Sequence, residues 1–128
     1  MYQRKTEKII ACPLEYGLDV FGGKWKSRLI CVIYHNPKIR YNELKKQLPE
    51  ITDPVLSLTL KDLCEDELIG RVQYDEIPPR VEYELTDKGL SVVPVLQHIC
   101  RWSNDYSPEN PRRDLPHCKN CHRLEKEK

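Results

Sequence analysis

Two cysteine settings hold the reactive chemistry of this sequence. Cys12 stands directly before Pro13, where a helix can begin. The unpaired backbone N–H groups and the dipole at a helix start lower a thiol's pKa and make thiolate available at neutral pH. Cys12 is therefore a candidate for reaction with oxidants and electrophiles, against the plainer reading of a small apolar residue in a subunit interface. The second setting is His117-Cys118-Lys119-Asn120-Cys121-His122. Cys-x-x-Cys is half of a tetrahedral metal site, and the flanking histidines can supply nitrogen ligands, so Cys118 and Cys121 are candidate zinc ligands. A dithiol redox pair and a flexible tail without a site are the other readings, the last having the largest share, so no cofactor is expected. The string also matches a c-type haem attachment sequence, which fails because nothing directs export. Cys31 and Cys64 fall on largely apolar helix faces and read as core. Neither a Ser-His-Asp constellation, paired carboxylates nor a phosphate-cradling glycine loop is apparent, so an enzyme is not expected.

The remaining chemistry is cationic, and the charge is unevenly placed. The chain has 128 residues, 39% hydrophobic and 32% charged, with a net charge of +1. Residues 1–64 hold 11 Lys+Arg against 7 Asp+Glu, whereas residues 65–128 hold 10 against 13. A polyanion would meet the first half. This length builds one domain with at most a tail, and dimerisation would add to a modest core. No run approaches the ~20 apolar residues that span a bilayer, and Met1 to Ile10 has no apolar signal stretch, so a cytoplasmic protein without membrane contact is expected. Six cysteines are too few for a secreted disulfide scaffold.

The elements that must position these groups are mostly helical. Pro13 to Gly22 reads as a helix with Leu14, Leu18 and Phe21 at helical spacing, and Lys24 to His35 as a second with Trp25, Leu29, Val32 and Ile33 on one face. Ile39 to Tyr41 is an extended link, and Asn42 to Leu48 a short helix with Leu44 and Leu48 inward. Asp53 fits an N-cap before Pro54, opening a helix that turns Leu56, Leu60 and Leu63 inward and Ser57, Leu58, Lys61 and Asp62 outward. Ile69–Tyr74 and Arg80–Leu85 alternate as strands of a hairpin whose tip, Asp75 to Pro79, is stiffened by two prolines and should project. Thr86 caps a long helix, Asp87 to about Tyr106, kinked at Pro94. Its apolar residues Leu90, Val92, Val93, Val95, Leu96, Ile99, Cys100 and Trp102 cover most of its circumference, so it is buried on two sides, one by the domain and one by a second subunit. The division is thus a leader (1–11), a domain (12–106) and a Cys/His-containing tail (107–128).

This order is that of a winged helix-turn-helix, an α+β, mostly α fold whose short capped helix can enter the ~12 Å major groove. Cys12-Pro13-Leu14-Glu15, Gly22-Gly23-Lys24-Trp25, Tyr41-Asn42-Glu43-Leu44, Leu56-Ser57 with Leu60 and Leu63, and Pro78-Pro79-Arg80-Val81-Glu82-Tyr83 with Leu85-Thr86 resemble the HxlR-type winged helix-turn-helix regulators from about Ala11 to Trp102. The resemblance implies a homodimeric transcription regulator of double-stranded DNA. Long N- and C-terminal dimerisation helices, a recognition helix at Asp53 to Asp66 and a wing tip at Ile77 to Arg80 come with it.

Within that frame the expected DNA contacts are Lys45 and Lys46 before the turn, Ser57, Leu58, Thr59 and Lys61 on or beside the outward face of the recognition helix, and Arg80 at the foot of the wing. Each has a plain counterpart: a solvated helix face for the first six, and for Arg80 a salt bridge to Glu82 or Asp75. The chain departs from the family pattern at Pro54, Leu58 and Thr59, where Lys, Gln and Arg are common, so charged two-point readout gives way, and Leu58 can meet a thymine methyl. The resemblance also implies sensing of thiol-reactive small molecules at Cys12, with Cys100 as a partner across the dimer. The rival is a winged-helix protein-interaction module whose exposed Leu58 binds another protein.

Overall fold

The computed structural model describes residues 12–106. Its elements are α1 (Pro13–Phe21), α2 (Lys26–His35), β1 (Ile39–Arg40), α3 (Tyr41–Gln47), α4 (Asp53–Glu65), β2 (Ile69–Tyr74), β3 (Arg80–Leu85) and α5 (Asp87–Tyr106). The core forms where the helical stripes meet: Leu29, Ile30, Val32 and Ile33 of α2, Leu44 of α3, Leu56, Leu60 and Leu63 of α4, and Val92, Val93 and Leu96 of α5. Cys31 and Cys64 pack at its margin, partly buried.

The extended link expected at residues 39–41 is a third strand. β1 pairs antiparallel with β3, Ile39 opposite Tyr83, so the sheet order is β1-β3-β2 and β3 is central. The hairpin register runs from Ile69 opposite Leu85 to Tyr74 opposite Arg80. Residues 75–79 are exposed throughout, as expected of a projecting tip.

Local chemistry sets the helix ends. α4 starts one residue early: Thr52 is its N-cap, with Asp53 and Pro54 as the first two helical residues. Its other end closes with Leu68 N–H bonded to Leu63 C=O at 2.9 Å and Glu67 in the left-handed region at φ 62°. That is the Schellman arrangement with glutamate where glycine is favoured. Thr86 caps α5 as expected: its Oγ1 accepts Gly89 N–H at 3.1 Å and donates to Glu67 C=O at 2.5 Å. α5 runs as one helix from Asp87 to Tyr106 with Pro94 inside it.

The expectation of long helices at both ends holds only for α5. α1 has 9 residues against 20 in α5, because Gly22 leaves helical geometry at ψ −175°.

Candidate nucleic-acid interface

α3 and α4 present the surface that the sequence marks for contact, and a polar cluster between them fixes their relation. Tyr41 opens α3 and donates its hydroxyl to Asp53 Oδ1 at 3.0 Å, with Ser57 Oγ 3.5 Å away. Lys45 Nζ donates to Ile51 C=O at 2.7 Å and lies 3.4 Å from Asp53 Oδ1. Leu48 and Ile51 are buried beneath the turn. The Tyr41 hydrogen bond, then the Lys45 ammonium, hold the Asp53 carboxyl below its ordinary range, because both favour carboxylate.

The outward face of α4 carries Pro54, Ser57, Leu58 and Lys61, all exposed. At i, i+4 and i+7, Pro54, Leu58 and Lys61 form one stripe opposite the buried Leu56, Leu60 and Leu63. Leu58 retains 46% exposure, an uncovered apolar side chain on a helix otherwise anchored in the core.

Three of the expected contact residues are placed otherwise than expected. Thr59 is not on the outward face: it is buried, and its hydroxyl donates to Val55 C=O at 2.6 Å. A short β-branched hydroxyl at the edge of the buried face folds back onto the carbonyl four residues earlier. Lys45 is committed to the turn and to Asp53, so it positions α4 instead of projecting from it. Arg80 is not held forward. Its guanidinium lies 4.1 Å from the Tyr74 ring centroid, 3.3 Å from Glu76 and 3.7 Å from Glu82, the last too long for a hydrogen bond and leaving the buried Nε without one. The wing tip beyond it is Asp75, Glu76, a fully exposed Ile77 and two prolines, so it repels phosphate more than it attracts it. Lys46, paired only loosely with Glu43 at 3.4 Å and 75% exposed, keeps a cation on this side.

Sequence reasoning missed Tyr41. Its signal was available: a tyrosine three residues after Lys38, before a helix that leads into Asp53, has a hydroxyl that needs a partner when its ring packs on the core.

Cys12 is exposed and occupies the N-cap of α1, where its carbonyl accepts Tyr16 N–H at 3.2 Å. Cys100 is exposed on α5. Both belong to the helices with the most uncovered apolar surface: Leu14 and Leu18 on α1, Leu90, Val95, Ile99, Trp102 and Tyr106 on α5. Tyr16 of α1 is half-exposed as well; its hydroxyl accepts Lys88 Nζ at 3.0 Å, and the same ammonium donates to Asp66 C=O at 2.8 Å. Lys88 thereby joins α1, the start of α5 and the end of α4. Cys118, Cys121, His117 and His122 lie outside the described residues.

The HxlR-like helix-turn-helix family model matches residues 20–111. An HTH-type transcriptional regulator of Methanothermobacter thermautotrophicus is 43% identical over 95 residues, 74% of this chain and 72% of that protein. The structure of the redox regulator HypR in its oxidized form superposes with a TM-score of 0.71 at 37% identity, covering 77% of this chain and all of that one. The reduced form of the transcriptional regulator YodB from Bacillus subtilis has a TM-score of 0.69 at 29% identity, covering 77% of this chain and 98% of that one.

Proposed function

The chain belongs to the HxlR-like helix-turn-helix family of transcriptional regulators, and from that premise we propose that it binds a pseudo-palindromic operator as a homodimer and is switched through Cys12. The observation that carries this reading is α4, anchored by Leu56, Leu60 and Leu63 and locked to α3 through Tyr41, Lys45 and Asp53, with Pro54, Ser57, Leu58 and Lys61 turned outward. Those side chains enter the major groove, and Lys46 and Lys61 meet phosphates.

The apolar residues uncovered on α1 and α5 supply the dimer contact, which sets the ~34 Å spacing of two recognition helices on successive turns of one face of the duplex. The switch draws support from the likeness to a redox regulator and from the exposed thiols on these two helices. Oxidation joins Cys12 of one protomer to Cys100 of the other. Two S–H bonds are lost, one S–S bond forms, and two protons and two electrons pass to an oxidant such as diamide or a peroxide. The disulfide moves α1 against α5 and alters the spacing.

Fluorescence anisotropy on DNA from upstream of its own gene tests this. Specific binding that changes with diamide in the wild type and not in Cys12→Ser is expected. Specific binding indifferent to diamide would remove the switch, and absence of specific binding at low salt would remove the DNA reading.

A further inference from the structure

Resting on the assignment of α4 to the groove, we infer that the chain selects its operator by the C5-methyl groups of pyrimidines, thymine in ordinary DNA, contacted by Leu58 with Pro54 beside it. Asp53 to Glu65 contains no Arg, Asn or Gln. Arg, Asn and Gln are planar groups whose paired hydrogen-bonding atoms fit guanine or adenine edges; Lys61 is the residue of α4 that can also reach a guanine. The polar groups that α4 does carry near its start are engaged within the protein: Asp53 by Tyr41 and Lys45, and Thr59 by its own helix. Ser57 Oγ lies 3.5 Å from the Tyr41 hydroxyl.

What the centre of the outward stripe offers is hydrocarbon. Pro54 and Leu58 are one turn apart, and Lys61 follows on the same stripe. The lysine's strongly hydrated ammonium on a flexible stem suits a phosphate better than a base edge. In the major groove the thymine methyl is the apolar feature of a base pair, and an isobutyl side chain over it removes carbon surface from water on both sides. Cytosine at that place leaves Leu58 facing an exocyclic amine that loses its water without gaining an acceptor. At the foot of the wing Arg80 is held over Tyr74 between Glu76 and Glu82, so it does not project toward a base edge.

The test begins with selection of sites from a random duplex pool by the reduced full-length protein. Each thymine of the selected half-site is then replaced singly by deoxyuridine, which deletes the methyl and keeps the base pair. Wild type is expected to lose about fourfold in affinity at one or two positions per half-site, the ratio set by burying one methyl group. Leu58→Ala, a change at an exposed position, is expected to bind without distinguishing thymine from uracil there. Replacing the same thymine by 5-methylcytosine should cost the wild type less than replacing it by cytosine. Affinity indifferent to uracil at every position, or a uracil effect that persists in Leu58→Ala, overturns the methyl readout while leaving a DNA-binding regulator in place. Failure of any site to emerge from the selection overturns the groove assignment itself, and the methyl readout with it.

Discussion

At the scale of single residues, the turn between α3 and α4 depends on two side chains of α3. Tyr41→Phe removes the hydroxyl that holds Asp53 and approaches Ser57. Operator affinity should fall about three- to tenfold, with thermal stability lowered by only about 1 kcal/mol, the net worth of one hydrogen bond; anisotropy beside a melting curve separates the two. Lys45 has the same duty: its bond to Ile51 C=O and its proximity to Asp53 make it a brace. Residue type and helical phase placed Leu58, Ser57 and Lys61 correctly on the outward face. They misplaced Thr59, Lys45 and Arg80, because phase says which way a side chain leaves the backbone but not which carbonyl or carboxylate lies within its reach. Thr59 borders the buried stripe, where a hydroxyl can turn inward; Arg80 lies in a strand whose neighbours Glu76, Glu82 and Tyr74 surround it only once the hairpin closes.

His35 gives a pH dependence at the same scale. Burial pushes its imidazole below the ordinary value, and its Nε2 is buried without a partner, so the folded state favours the neutral ring. An unfolded chain takes up the proton near pH 6.5. Stability is therefore whole above about pH 6.5 and declines as pH falls below it, until the folded-state value is reached. The melting temperature of the wild type should drop between about pH 7 and about pH 5 by more than that of His35→Leu, measured by circular dichroism; equal slopes would assign the loss to other groups.

At the scale of elements, the junction of α4, β2 and α5 is the most constrained part of the domain. The Leu68 carbonyl accepts Thr86 N–H at 3.1 Å and occupies the space a Cβ on Gly89 would need. Gly89→Ala must therefore push α5 off the start of β2, at about 1–3 kcal/mol for an overpacked core site. Thr86→Ala removes the cap and its bond to Glu67, at about 1 kcal/mol. Urea denaturation should rank both variants below wild type with unchanged slope. The cap, the strands of the hairpin and the helix stops were legible because Thr, Pro and Gly act through their own backbone neighbours. β1 was not, since two residues acquire a strand's identity only from the partner that lies beside them, here Tyr83 and Glu82.

At the scale of the whole molecule, the apolar circumference of α5 was legible as two buried sides, and the structure shows one of them covered by the domain through Val92, Val93 and Leu96. The other holds Leu90, Val95, Ile99, Trp102 and Tyr106 at 44–70% exposure. Ile99→Glu combined with Trp102→Glu should yield a folded monomer in sedimentation equilibrium and weaken operator binding at least tenfold, since each half-site then binds alone. Charge sets a second property at this scale. With Lys45 paired to Asp53, Lys46 and Lys61 are the cations that α3 and α4 turn toward phosphates, so the slope of log affinity against log salt should be shallow, about −2 to −4 for a dimer. A slope near about −8 would mean that cations outside α3 and α4, such as Lys38, Arg40 or Arg71, also meet phosphates.

Lys88 bears on how such a molecule can be worked from a distance. One ammonium group grips the Tyr16 hydroxyl at 3.0 Å and the Asp66 carbonyl at 2.8 Å, so the helix that begins at Cys12 and the trailing end of the reading helix share a rivet. A pull on α1 of about one ångström is enough to break a hydrogen bond of this length, and the bonded Asp66 carbonyl stands next to Glu67, whose backbone is left-handed. On the proposed reading, the Lys88 bond couples the helices that would form the dimer to the helix that would read the groove, and Lys88→Met should let them move independently.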